Sequence, residues 1–363
     1  PVIRIDLDLN ATQVGSFMSA FYFALAAGAI PAGVLADRLG VARSLATAAL
    51  AMALGAALFA GVASYPPAVA ATFVMGLGYA LVNPATAKGV LSWFRPEHRA
   101  TAMGVKQMGV PMGGLLASGF GAAVVFMPWR WALWIVAGLT LGVGAVWWRL
   151  ARGRTVGGGG LRAALADLRA VLGNRRLGRV NAASVTFNAG QQAFGTYLTL
   201  FLRDAAGASQ PFAALCVGLS QVTGATGRVF WAFASDRFAG GRRKGVLVAI
   251  MTAAAATMFT AAAVSPSWHA GVLAALALVL GATVLAYAAL LHTLCAEAVD
   301  PRLAGAAIGS NLFATSLGGA VWPILFGLIV DHAGYATAWT ATGVLVLGGV
   351  GLVGLGYREA DRD

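Results

Sequence analysis

The sequence predicts an all-α polytopic membrane protein, and three observations carry that reading. Of its 363 residues, 59% are apolar and only 10% are charged, against roughly 25% charged in an ordinary soluble domain. The apolar residues fall into eleven runs, each of about the 20 residues that a helix needs to cross a hydrocarbon layer ~30 Å thick. None of these runs alternates apolar with polar residues as a membrane β-strand does, so the backbone polar groups must be satisfied within helices. So few charges cannot cover the surface of a soluble domain. A soluble enzyme, a disordered regulator and a disulfide-stapled secreted domain are therefore excluded.

The runs cover approximately 12–36, 44–64, 67–94, 100–124, 130–150, 180–203, 209–235, 245–264, 268–296, 303–330 and 336–356. Polar gaps set their limits. Asp37, Arg38 and Arg43 separate the first two runs, Arg95 and Arg99 divide the third from the fourth, and Arg130 opens the fifth. A long polar stretch from Arg149 to Arg179 precedes the sixth, which ends at Arg203. Asp236 to Lys244 divides the seventh from the eighth, Arg302 opens the tenth, and Arg358 and Arg362 follow the eleventh.

Orientation follows from the basic residues. Of the 25 Lys and Arg, nineteen fall on one side, while Arg4, Arg130 and Arg203 fall on the other and Lys88, Lys106 and Arg228 lie within runs. The crowded side is expected to be cytoplasmic, in a cell (inner) membrane, with the central linker and the C-terminus inside. The net charge of +12 is then accounted for without nucleic acid. Trp93, Trp129, Trp131, Trp147, Trp148, Trp268 and Trp339 fall near run ends, as an interfacial aromatic belt requires. Cys216 and Cys295 lie inside apolar runs near opposite faces, too far apart for a disulfide.

The chain repeats itself at about 200 residues. Gly33-Val-Leu-Ala-Asp37-Arg38-Leu-Gly40-Val-Ala-Arg43 ends one run, and Ala232-Phe-Ala-Ser-Asp236-Arg237-Phe-Ala-Gly240-Gly-Arg242-Arg243-Lys244 ends another. Arg99-Ala-Thr-Ala-Met-Gly104 and Arg302-Leu-Ala-Gly-Ala-Ala-Ile-Gly309 each open a run at a similar offset. Two elements recurring in one order are a repeat signal that neither gives alone. The repeat divides the chain into an N-terminal bundle over 1–150, a linker over 151–179 and a C-terminal bundle over 180–363. Within the linker, Leu161, Leu165, Leu168 and Leu172 recur at helical spacing after the Gly157–Gly160 run. They read as an amphipathic helix on the membrane surface or as a solvated linker helix. One run precedes Asp236 in the second half that has no counterpart before Asp37. The repeat thus implies that a first helix is absent from this sequence and that the full arrangement is six plus six.

The Gly33–Arg43 segment closely resembles the loop signature between the second and third helices of the major facilitator superfamily, G-x-L-a-D-R-x-G-R/K-[RK]. The segment around Asp236 is similar to the degenerate copy that this family carries between helices eight and nine. The resemblance implies two six-helix bundles with a substrate site at midplane and alternating access by rocking. It assigns Gly33, Asp37, Arg38, Gly40, Arg43, Asp236 and Arg237 to gating, with Asp37 meeting the N-terminal end of family helix eleven near Arg302–Gly309 in the outward-facing state. Two departures weaken a proton-driven efflux reading. Thr72 precedes Gly76-Leu-Gly78 where the family often has Arg, and Gly109-Val-Pro111-Met-Gly113-Gly114 is off the antiporter register.

Ionisable side chains inside a span cost about 2.5–3.5 kcal/mol on insertion scales and are functional candidates by default. Here they are Lys88, Lys106 and Arg228, whereas every Asp and Glu lies in a gap or near a run end. Lys106 and Arg228 lie ~10 and ~12 Å from the same face at 1.5 Å per residue. In the family fold, helices five and eight flank each other, so the two cations are expected to converge on one ligand. Arg suits a carboxylate through its planar fork, and Lys adds a mobile point charge. Gly227-Arg228 followed by Asp236 looks like the eighth helix of monocarboxylate and oxalate-type facilitators, where that Arg contacts the substrate carboxylate. Lys88, close to Trp93, reads as a side chain snorkelling to the interface.

Since family helices one, four, seven and ten line the cavity, Asn83, Gln191 and Tyr287 are ligand candidates, with Gln107 beside Lys106. Asn188, Gln192, Tyr197 and Asn311 read as polar companions that tune selectivity or as hydrogen-bonding groups between packed helices, and His292 as a protonation switch or an interhelical donor. The expected function is secondary transport of a small organic anion by alternating access. The alternative is a proton-coupled exporter of neutral or cationic compounds, whose acidic residue would have to lie on the absent helix. Expected partners are the bilayer, an anionic solute and a coupling proton, with the chain a monomer. The sequence carries no Walker-type loop, zinc-ligand cluster or nucleophile elbow, and so no enzyme activity, cofactor or metal is expected.

Overall fold

The computed structural model describes residues 2–94, 99–151, 169–238, 243–300 and 303–357. No strand occurs among them. The N-terminal half contains α1 (Val2–Asp6), α2 (Ala11–Gly61), α3 (Tyr65–Ala80), α4 (Val82–Trp93), α5 (Arg99–Ala123) and α6 (Trp129–Leu150). The C-terminal half contains α7 (Arg175–Asp204), α8 (Gln210–Phe238), α9 (Arg243–Ala262), α10 (Ala270–Val284), α11 (Ala288–Glu297) and α12 (Ala304–Gly354). Every apolar run falls on helix. Among the described residues, five stretches are by themselves long and apolar enough to cross a membrane: Arg38–Gly61, Tyr65–Val90, Trp129–Leu150, Arg243–Ala262 and Ala306–Gly354.

Two glycines turn the chain. Gly40 (φ 75°, ψ 173°) interrupts α2, and Gly334 (φ 79°, ψ 171°) interrupts α12. Both backbones are in a region that a Cβ makes costly, so each long helix is two helices back to back. Two other runs break in the middle. Between α3 and α4 the helix is interrupted at Leu81, three residues before Pro84, which has no N–H to donate. About 200 residues later, α10 ends at Val284 and α11 begins at Ala288.

The C-terminal half is built around one continuous core to which all of α7 to α12 contribute, joined by Ala11 of α2. At its centre Trp339 packs edge-on against Phe201 (5.4 Å between centroids) and Phe326 (5.1 Å), and Phe326 lies 4.6 Å from the ring of Tyr197. The N-terminal half has smaller clusters and relies on small residues. A Cβ on Gly78 would lie 3.0 Å from Ala48 O, and one on Gly144 would lie 3.0 Å from Ala49 Cβ. Close backbone approach of this kind drives helix association in lipid, where burial of apolar surface adds little. Large apolar side chains such as Leu54, Leu116, Leu139, Val146 and Val229 point outward, the surface that a bilayer covers and water does not.

Leu161, Leu165 and Leu168 of the expected linker helix lie outside the described residues. Residues 169–172 are helical, with Val171 buried in the C-terminal core and Leu172 exposed. Asn174 then caps α7, accepting from the N–H groups of Arg176 and Leu177.

Candidate functional site

The site lies where the two halves meet, and the broken helices build it. On the N-terminal side, Asn83 follows the kink between α3 and α4, and its Oδ1 accepts a hydrogen bond from Lys106 Nζ on α5 at 2.9 Å. On the C-terminal side, the break between α10 and α11 presents the carbonyl of Leu285, which accepts from Arg228 Nε on α8 at 2.9 Å. Each intramembrane cation is thus anchored on an interrupted helix of its own half, the arrangement by which irregular backbone at membrane depth serves a polar cavity. His292 on α11 lies within electrostatic reach of both Arg228 and Lys106. One intramembrane cation thus comes from each half, Lys106 from α5 and Arg228 from α8.

Tyrosines surround it. Tyr79 on α3 and Tyr287 in the α10–α11 break lie near Arg228, and Tyr22 on α2 is a neighbour of both phenols. Tyr287 is 2% exposed and stands edge-on to Phe187. Gln192 on α7 closes the group across the halves, donating from Nε2 to Tyr22 Oη at 2.8 Å and to Asn188 Oδ1 at 3.3 Å. Gln191 is half-buried one residue before. Adjacent helical residues point ~100° apart, so only one of this pair meets Tyr22. Tyr22 and Tyr79 were not among the sequence candidates. A Tyr in an apolar run carries no charge signal, and nothing but the packing identifies it.

The remaining candidates are placed as follows. Gln107 lies on α5, and Asp37 and Asp236 lie near helix ends, but their side chains are outside what the structure describes. So are Gly240, Arg242 and Arg302. Gly33 is partly exposed on α2, Gly40 makes the turn, and Arg38, Arg43 and Arg237 are exposed. Lys88 is half-buried on α4, five residues before Trp93, which stacks on Trp147 at 6.2 Å. Asn311 is fully buried between α12 and α7, donating to Asn181 Oδ1 and Ser184 Oγ. Cys216 and Cys295 are free thiols. Among the described residues, no three His, Cys, Asp or Glu side chains are grouped to hold a metal ion.

One end of the site is sealed. At the end poor in arginine, α2 and α12 touch backbone to backbone: a Cβ on Gly15 would overlap Pro323 O, and one on Gly327 would overlap Ala11 O. The Tyr197 hydroxyl donates into the gap, 2.7 Å from Ala11 O and 2.8 Å from Pro323 O. Arg4 pairs with Asp204, which also accepts from Tyr335 Oη at 3.0 Å, and Gln210 Nε2 donates to Gly121 O at 2.9 Å. The other end differs. Gly33 lies five helical turns beyond Gly15 on the same face of α2, and Gly309 lies five turns before Gly327 on α12. Among the described residues, a Cβ on either would meet nothing within 4 Å. Toward that end α5 and α8 leave an apolar groove of about 490 Å³ between Met108 and Ala225, Thr226, Val229, Phe230 and Phe233.

The sequence profile of the Major Facilitator Superfamily matches residues 1–239 and again residues 180–362. The chain belongs to the Major Facilitator Superfamily. The two matches overlap over residues 180–239. Among superfamily relatives, the chain is 32% identical over 319 residues to an uncharacterized MFS-type transporter of Mycobacterium tuberculosis, covering 83% of this chain and 69% of the relative. It is 29% identical over 147 residues to the hexuronate transporter of Bacillus subtilis, covering 40% and 34%. It is 31% identical over 156 residues to a probable L-galactonate transporter of Escherichia coli K12, covering 42% and 34%. The superfamily fold is shared with the nucleoside transporter NupG (TM-score 0.81, 16% identity, 98% of this chain and 94% of that one). It is also shared with a bacterial homolog of the human lysosomal transporter Spinster in an inward-facing and occupied conformation (TM-score 0.77, 17% identity, 97% and 90%).

Proposed function

We propose that this transporter carries a small organic anion, a carboxylate, by alternating access across the cell membrane. Its arginine-rich end faces the cytoplasm. The observation that carries the reading is that each half anchors one cation at an interrupted helix, Lys106 on Asn83 Oδ1 and Arg228 on Leu285 O. An anion bound between them bridges the halves. Arg228, held by Nε on Leu285 O, offers the planar fork that fits a carboxylate, and Lys106 supplies a point charge. Tyr22, Tyr79, Tyr287 and Gln192 add neutral hydrogen-bonding groups suited to hydroxyls on the same solute. The relatives named for hexuronate and L-galactonate support the class, since both solutes are hydroxylated carboxylates.

On this reading, residues 1–150 and 180–363 are the two rocking bundles, and 151–179 is the linker between them. Asp37, Arg38, Gly40 and Arg43, with Asp236 and Arg237, gate the cytoplasmic end. The test is uptake of radiolabelled galacturonate by the full-length protein in proteoliposomes. Arg228→Gln and Lys106→Gln are each expected to lower uptake about tenfold or more, the scale of losing one charge-assisted hydrogen bond, while insertion is unchanged. Parental rates in both variants would end the anion reading.

A further inference from the structure

The N-terminus of α2 is capped in two shares. A helix leaves its first four N–H groups without intrahelical partners. Here Asn10 and Gln13 form a capping box: Asn10 Oδ1 accepts from Gln13 N at 2.8 Å, and Gln13 Oε1 accepts from Asn10 N at 3.0 Å. The N–H groups between them, those of Ala11 and Thr12, donate to Asp331 Oδ1 at 2.9 Å and Oδ2 at 2.8 Å, and the Thr12 hydroxyl adds a third bond at 2.6 Å. Asp331 is on α12, in the other half. One carboxylate thus completes a helix cap across the boundary that must part for this end to open. The positive end of the helix dipole favours the negative charge there, and bonds to an ionised acceptor are the stronger kind.

The sequence repeats the device at the opposite end. Asp331-His332-Ala333-Gly334 and Asp37-Arg38-Leu39-Gly40 both place an Asp three residues before a glycine of nearly the same positive-φ backbone. The glycine turns the chain and leaves the Asp at a helix end. Asp331 therefore stands at one end of the α2–α12 pair as Asp37 stands at the other.

We propose that Asp331 is a positioning residue of the transport cycle, the latch that holds the arginine-poor end closed by capping α2 and that must release Ala11 and Thr12 to water before that end opens. The proposal rests on the reading of the chain as a carrier whose halves rock, not on the charge of its solute. The test is therefore run without solute.

Single cysteines are placed in the full-length protein with Cys216 and Cys295 replaced by Ala. One replaces Ser19, which is 4% exposed and one turn past Gly15 on the sealed face. The other replaces Gly309, where a side chain has open space. In nanodiscs, a water-soluble maleimide reports each end. Asp331→Asn is expected to raise the labelling rate at position 19 about tenfold and to lower that at position 309, because opening one end of a rocking carrier closes the other. Asp331→Glu is expected to restore part of the parental pattern. Unchanged labelling at position 19, or a rise at both positions as from a loosened fold, overturns the latch. If Asp331→Asn does not fold, Thr12→Val removes one of the three donors and is expected to shift both rates in the same directions by a smaller factor. Unchanged rates in that variant overturn the proposal equally.

Discussion

The two ends of the α2–α12 pair are made of the same kinds of residue and behave differently. At the arginine-poor end, Gly15 and Gly327 bring backbones together, and Tyr197 and Asp331 fill the contact with hydrogen bonds. Five turns away, Gly33 and Gly309 lie on the same faces, and among the described residues nothing comes within 4 Å of a Cβ on either. Small residues therefore do not decide by themselves which end is shut. They permit contact at both, and the polar groups that complete a helix terminus select one. The difference has a simple physical basis, since an N–H exposed in a parted interface needs another acceptor, whereas a glycine with an empty neighbour needs nothing.

Substitutions that erase this contrast should have graded effects. Gly15→Ala comes first, because its Cβ overlaps a carbonyl oxygen that cannot give way as a flexible side chain can. It is expected to disfavour the closed end by about 1–3 kcal/mol, read as faster maleimide labelling at position 19. Tyr197→Phe is next. It removes one hydroxyl shared between Ala11 O and Pro323 O, expected to cost about 0.5–1.5 kcal/mol and measured as a lowered Tm of the purified protein. Gly309→Ala is the control at the open end. It is expected to stay within about 0.5 kcal/mol of the parent by the same melting measurement, and a large loss there would mean that the open end is packed after all.

How much of this was legible in the sequence depends on the kind of signal. Apolar runs of membrane length became helices because the bilayer leaves the backbone no other choice. The depth of Lys106 and Arg228 could be counted from the run ends. Their anchors could not. The kink that places Asn83 has a partial signal in Pro84, but the break that frees Leu285 O contains neither Pro nor a polar cluster. On α7 the sequence reading chose Gln191 as the ligand candidate, whereas the rotation of the helix in its bundle brings Gln192 to Tyr22. Asp331 looked like an ordinary helix-end carboxylate. Its partners are more than 300 residues away in the chain, a separation over which local pattern carries no information.

The claim at the centre of this account is that one cation from each half holds the charge of the solute. Melting of the full-length protein with galacturonate and with the uncharged sugar galactose tests it directly, since a ligand of the folded state raises Tm by mass action. The account predicts that galacturonate raises the Tm of the parent while galactose does not, and that the rise disappears in the Lys106→Gln, Arg228→Gln double variant. An equal rise in that variant, or a rise with galactose matching that with galacturonate, would contradict it.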